Sequence, residues 1–300
     1  MGCVSALYSN TQHYEVFTSM KSTGKSIFNY CHSVVFLAII VAALGGCKSA
    51  YNKRDFSQNK PETTSTEFDF LYQYSIIDAL MAGVFDGDLT IGKLKTKGNF
   101  GIGTFNKVDG ELIMHEGKVY KVSYDGSVKE TADSDSTSAA FVKFFKTDTT
   151  IYMSGKALTY EKIQEYLSQN LNENGIYALR IKGAFSSMTT RAARPAKSPY
   201  KTLSEHLKTN QAVFNLTNTN GICIGFLLPP YLARTNVPGF HLHYISGDLK
   251  EGGHVFNFTT DSVAIEIDIA KGFVIENNTN TEFRNVNLKP DRGAELKKIE

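Results

Sequence analysis

Three of the chain's seven histidines lie in one stretch, Gly239-Phe-His-Leu-His-Tyr-Ile-Ser-Gly-Asp-Leu-Lys-Glu-Gly-Gly-His254. If residues 240–245 form a strand, side chains alternate between its faces, so His241 and His243 point the same way. Residues 247–253 are rich in glycine and polar side chains, which suits a turn. Such a turn returns the chain as an antiparallel partner and brings His254 beside the first pair. Three neutral imidazoles on one surface, with a fourth position open, form the ligand set of a catalytic zinc site. A His-x-His pair alone more often marks a half-buried or surface pair. The third histidine beyond a hairpin loop turns the reading toward metal.

The rest of the chain supplies a mostly β scaffold for that hairpin. Ile76, Ile77, Leu80, Met81 and Val84 fall at helical spacing and stop at Phe85-Asp-Gly-Asp88. Strands are expected over residues 100–105, 111–114, 119–123, 141–145 and 150–153, the first of them divided by Asp-Gly and Glu-Gly turns. A second helix is expected over residues 160–170, with Thr159 as its cap, Ile163, Tyr166 and Leu167 on one face, and Gly175 beyond its end. A strand over 176–185 and a helical patch over 203–207 lead to the histidine region. Val263, Ile265, Ile267 and Ile269 alternate with Ala264, Glu266 and Asp268, the pattern of a half-buried antiparallel strand. The fold class is therefore α+β: β-rich mixed or antiparallel sheets in two lobes (67–190 and 191–300), a few packed helices, and the zinc site on a strand hairpin.

Composition narrows the partners. A formal net charge of +2 over 300 residues, without an arginine or lysine block, argues against nucleic acid. Lys21 and Lys25 precede an apolar run over residues 34–44, too short to span a bilayer comfortably. The run closes in Leu44-Gly45-Gly46-Cys47, which resembles a bacterial lipobox. Residues 1–46 are thus expected to be a lipoprotein-type signal, with Met20 an alternative start. Cys47 would carry the lipid and the polar residues 47–66 would form a flexible tether. Localisation follows from that signal: anchored in the cell envelope if it is read, cytoplasmic if it is not. Cleavage would leave Cys223, in an apolar strand-like run, as an inert core thiol and no disulfide framework.

Several of these segments together resemble the alpha-acetolactate decarboxylase family, from about residue 71 to residue 300. They are Phe85-Asp-Gly-Asp88, Gly98-Asn-Phe-Gly-Ile-Gly-Thr-Phe105, Asp109-Gly-Glu-Leu112, Ile181-Lys-Gly-Ala-Phe185, Thr190-Arg191, Gly225-Phe-Leu-Leu-Pro229 and the histidine hairpin. The resemblance implies Zn2+ held by His241, His243 and His254, with Glu111 and Arg191 in the active site and Thr104 near the substrate. A further glutamate near the C-terminus falls on Glu300, counted from Pro290-Asp291, with Glu295 as the alternative. The implied reaction is decarboxylation of (S)-2-acetolactate to (R)-acetoin and CO2, the metal stabilising an enediolate, in a homodimer without organic cofactor. Glu111 or Glu300 would deliver the proton, and Arg191 would orient the departing carboxylate. On residue type alone, Glu111 reads as an exposed hairpin residue, Arg191 as half of a surface ion pair and Thr104 as packing. Two rival functions share the hairpin: a non-catalytic zinc-binding surface lipoprotein, and a related metal-dependent lyase acting on another small 2-hydroxy or 2-keto acid.

Overall fold

The computed structural model describes residues 15–20 and 69–300, and among these the strands form two sheets. The six-stranded sheet begins with β1 (Glu15–Met20). The eight-stranded sheet follows, with β2 (Phe70–Tyr74), β3 (Leu89–Thr90), β4 (Phe100–Phe105) and β5 (Glu111–His115). It continues through β6 (Lys118–Val122), β7 (Val128–Glu130) and β8 (Ser136–Lys143). The remaining strands of the six-stranded sheet are β9 (Thr149–Thr159), β10 (Ile176–Ala193), β11 (Gln211–Leu228), β12 (Gly239–Ser246) and β13 (Gly252–Ala270). The chain then crosses back, and β14 (Gly272–Glu276) pairs in parallel with β2 on the edge of the eight-stranded sheet. Helices are short and few: α1 (Ile77–Met81), α2 (Ile91–Leu94), α3 (Tyr160–Asn170), α4 (Leu203–Leu207), α5 (Thr281–Asn285) and α6 (Gly293–Leu296). The β-rich α+β class is as expected.

Local chemistry explains most element ends. α3 starts where the Thr159 hydroxyl accepts the Lys162 amide, and it buries Tyr160, Ile163 and Leu167. α1 is shorter than its apolar spacing predicts, because Gly83 at φ +97° ends it in the left-handed region. The strand expected over 141–145 is β8, which begins earlier, and β10 runs past the expected end at 185 as far as Ala193. A division at residue 190 therefore falls inside β10, and β14 from the C-terminal half belongs to the N-terminal sheet. The expected lipidation site Cys47 and the expected tether 47–66 lie outside the described residues. So does the leader 1–46 except for β1, which pairs antiparallel with β9 from Glu15 opposite Ser154 to Met20 opposite Thr149. No helix among the described residues is long and apolar enough to cross a membrane. Cys223 is buried and free, and burial raises its thiol pKa.

The two sheets pack through apolar side chains from both, among them Phe100, Ile102, Phe141, Ile224 and Phe226. One buried charge group also ties them. Lys143 on β8 lies 3.0 Å from Asp268 on β13 and 3.0 Å from Asp69. Lys143 and Asp268 are each only 1 % exposed. Removing one partner strands the other charge in the interior, a cost of about 3–5 kcal/mol. Lys143→Met is therefore expected to lose about 3 kcal/mol in urea unfolding, and a loss below about 1 kcal/mol would show the bridge to be dispensable.

Candidate active site

The hairpin forms in the register that joins the histidines. β12 and β13 pair antiparallel with His243 opposite His254, and His241 lies two residues along β12. On its other side β13 pairs with β10, placing Arg191 opposite His254. Since β10 also pairs with β11, and β11 with β12, these four strands close a circuit, and the histidines stand on two of its strands, on the face toward the other sheet. A register shift between Thr189 and Thr190 breaks the β10–β13 ladder immediately before Arg191. Such irregularities turn side chains out of their regular alternation. Gly253 permits the close crossing: at φ +129° a side chain is strained, and a Cβ would sit 2.4 Å from the Arg191 carbonyl oxygen. The Thr190 hydroxyl donates to the Gly252 carbonyl at 2.7 Å and pins the same turn.

The other sheet supplies the acid. Glu111 opens β5 directly opposite Thr104 on β4. Its carboxylate accepts the Arg191 Nη1–H at 2.9 Å and stands 3.5 Å from His243 Nε2. The expectation from residue type, an exposed glutamate and a surface arginine, is reversed: Glu111 and Arg191 are both 5 % exposed. Thr104 lines the cavity, with its hydroxyl already donating to the Gly110 carbonyl at 2.7 Å. From the tail, Glu300 places Oε2 3.8 Å from His241 Nε2 and 3.7 Å from His254 Nε2. Glu295 accepts a hydrogen bond from Ser204 at 2.8 Å, so Glu300 is the tail carboxylate in the cavity.

Electrostatics follow from burial. Burial, and then the Arg191 charge, push His241 down to about 3, and burial holds His243 and His254 well below the usual histidine range. All three imidazoles are therefore neutral, and their contacts with the glutamates are not ion pairs. Burial raises the Glu111 carboxyl to about 7 against the pull of Arg191, and does the same to Glu300. Three imidazole lone pairs and two carboxylates thus converge with Arg191 as their one cation among the described residues.

That donor set fits a metal ion. One nitrogen from each of His241, His243 and His254 lies within 4.8 Å of the others, and all three residues are buried. His243 Nδ1 lies 2.9 Å from the Leu112 carbonyl, which can only accept, so Nδ1 carries the proton and Nε2 keeps its lone pair. The Leu112 contact has no signal in the sequence, because it joins residues 131 positions apart and uses a backbone atom.

A two-sheet β scaffold holding a buried three-histidine cluster that could hold a metal ion, two carboxylates and an arginine is the site of an enzyme acting on a small molecule. The chain belongs to the alpha-acetolactate decarboxylase family, whose sequence model matches residues 71–290. An alpha-acetolactate decarboxylase of Methanosarcina mazei is 34 % identical over 241 residues, covering 80 % of this chain and 83 % of that protein. The enzyme of that name from Bacillus subtilis is 34 % identical over 77 % of this chain and 90 % of its own length. The crystal structure of the B. subtilis enzyme superposes with a TM-score of 0.74, covering 76 % of this chain and 97 % of that one. Glu300 lies beyond the matched segment, so its place in the site rests on the geometry above.

Proposed function

We propose that this protein is a zinc-dependent acetolactate decarboxylase, converting (S)-2-acetolactate to (R)-acetoin and CO2. The observation that carries this reading is the meeting of the His241–His243–His254 cluster with Glu111, Arg191 and Glu300 in one buried cavity, in a chain of this family. A carrier or sensor of zinc has no use for two carboxyls raised to about 7 beside a buried arginine.

Loss of CO2 breaks the bond between the carbinol carbon and the carboxylate. The electron pair moves toward the neighbouring ketone, and a proton must then reach the carbinol carbon. His241, His243 and His254 would hold the ion, which when bound supplies Lewis acidity toward the hydroxyl and ketone oxygens. Arg191 binds and orients the carboxylate: its Nε–H is buried without a hydrogen-bond partner among the described residues. Glu111 or Glu300 holds the proton to be delivered, since a buried carboxyl with a pKa near the working pH is a competent acid. Delivery from one fixed side gives a single enantiomer.

The test is acetoin formation from 2-acetolactate by the protein as purified, after chelation, and after zinc is returned. Activity that is lost and then recovered is expected. Stoichiometric zinc binding without acetoin would instead favour the metal-binding lipoprotein, and turnover of a different 2-keto acid the related lyase. The leader supports a location in the cell envelope through a lipid on Cys47. The full chain is then expected in the membrane fraction, and Cys47→Ala in the soluble one; equal partition of the two would place the protein elsewhere.

A further inference from the structure

The cavity has two unlike sides. Besides the histidines, arginine and glutamates, the lining holds an aliphatic wall of Ile77 and Leu80 from α1, Val108, Ala139 from β8, and Leu203 and Leu207 from α4, all six in one apolar cluster. Leu203 and Leu207 are four apart on a helix, so they share a face. α4 is fixed in place. Its start is closed by a reciprocal cap between Thr202 and Glu205, the His206 ring meets the Arg194 carbonyl at 2.8 Å, and Ser204 donates to Glu295 at 2.8 Å. α1 is fixed as well, through the Asp78 carboxylate on Arg234 Nε at 2.7 Å. The cavity between the two sides is about 40 Å³. A single water needs ~10–15 Å³ on that scale, so the space is that of about three waters.

2-Acetolactate has matching sides. Its carboxylate, hydroxyl and ketone are contiguous, and its apolar parts are two methyl groups. Turning the polar groups to the aliphatic wall would strip them of hydrogen bonds, so they face the histidines and Arg191, and the methyls face α1 and α4. We infer that the α1–α4 wall sets the size of alkyl group this enzyme accepts, with Leu203 and Leu207 on α4 as the limiting residues. The inference rests on the decarboxylase reading and assigns its substrate range to named side chains. A wall that cannot retreat turns one added methylene into a loss of roughly 10–200-fold.

The experiment compares kcat/KM for 2-acetolactate and for its homologue 2-ethyl-2-hydroxy-3-oxobutanoate, in the zinc-loaded full chain. Leu203→Val and Leu207→Val each remove one methylene, the amount the homologue adds. The ratio of the two constants does not depend on how much of a preparation is folded, so lost stability does not mimic the effect. Leu94→Val is the control, because Leu94 is buried in a different apolar cluster and does not line the cavity. At least one of the two α4 variants is expected to move the ratio toward the ethyl acid by about fivefold or more, with Leu94→Val within about twofold of wild type. A smaller shift in both α4 variants, or an equal shift in Leu94→Val, overturns the assignment while leaving the decarboxylase standing. Zinc-loaded wild type that converts neither acid overturns the decarboxylase reading and this inference with it.

Discussion

Glu111→Gln is expected to lower acetoin turnover by ~10²–10⁴-fold while the protein keeps its fold and its zinc. The substitution preserves volume, and the amide oxygen can still accept from Arg191 Nη1, which Glu111 meets at 2.9 Å. What it removes is a titratable proton in a site where the carboxyl is 5 % exposed and raised to about 7 by burial. The pH profile separates this from a structural role. A proton donor works in its protonated form, so turnover falls on the alkaline side as the carboxyl ionises, and that limb is absent once the group cannot titrate. Zinc content measured beside steady-state acetoin formation completes the test. Near-normal turnover in the variant would remove Glu111 from the chemistry and leave Glu300 as the donor.

The part of this site that was legible in sequence is the part written locally. His241 and His243 follow from strand alternation, and His254 follows from a glycine-rich turn whose length returns it opposite His243. α3 is likewise local, from its Thr159 cap to its last residue. What sequence spacing left open are meetings between distant strands. Glu111 and Arg191 are 80 positions apart and come together because two sheets stack, which turns an ordinary hairpin glutamate into a buried acid. The resemblance to a family pointed to both residues, whereas residue type argued against them. The crossing of β14 to the eight-stranded sheet, the Lys143–Asp268 bridge and the aliphatic wall have the same origin. Leu203 and Leu207 read simply as a short apolar helix until they are seen to line the same cavity as the histidines. The extension of β10 to Ala193 was hidden for a different reason: Ser186, Ser187, Thr189 and Thr190 break the apolar alternation, although Met188 and Ala192 between and beyond them are buried core.

His243→Ala should behave differently from Glu111→Gln in one decisive respect, the loss of metal together with activity. His243 is 1 % exposed and is held at both ends of its ring, Nδ1 against the Leu112 carbonyl at 2.9 Å and Nε2 in the cluster 3.5 Å from Glu111. Alanine removes one of the three proposed ligands and also the Nδ1–H that meets the buried Leu112 carbonyl. Disturbing even a partner of a metal-bound histidine typically costs 10–100-fold in affinity, so removing the histidine itself is expected to cost at least ~100-fold. Zinc content after gel filtration should fall well below that of the wild type, with acetoin formation falling alongside it. Excess zinc should restore little, because two imidazoles and carboxylates form a weaker and differently shaped site. In Glu111→Gln, by contrast, zinc content stays at the wild-type level while turnover collapses. If His243→Ala retained both zinc and turnover, the ion would have to sit elsewhere, and the convergence of three neutral imidazoles at the end of the hairpin would be a feature of packing alone.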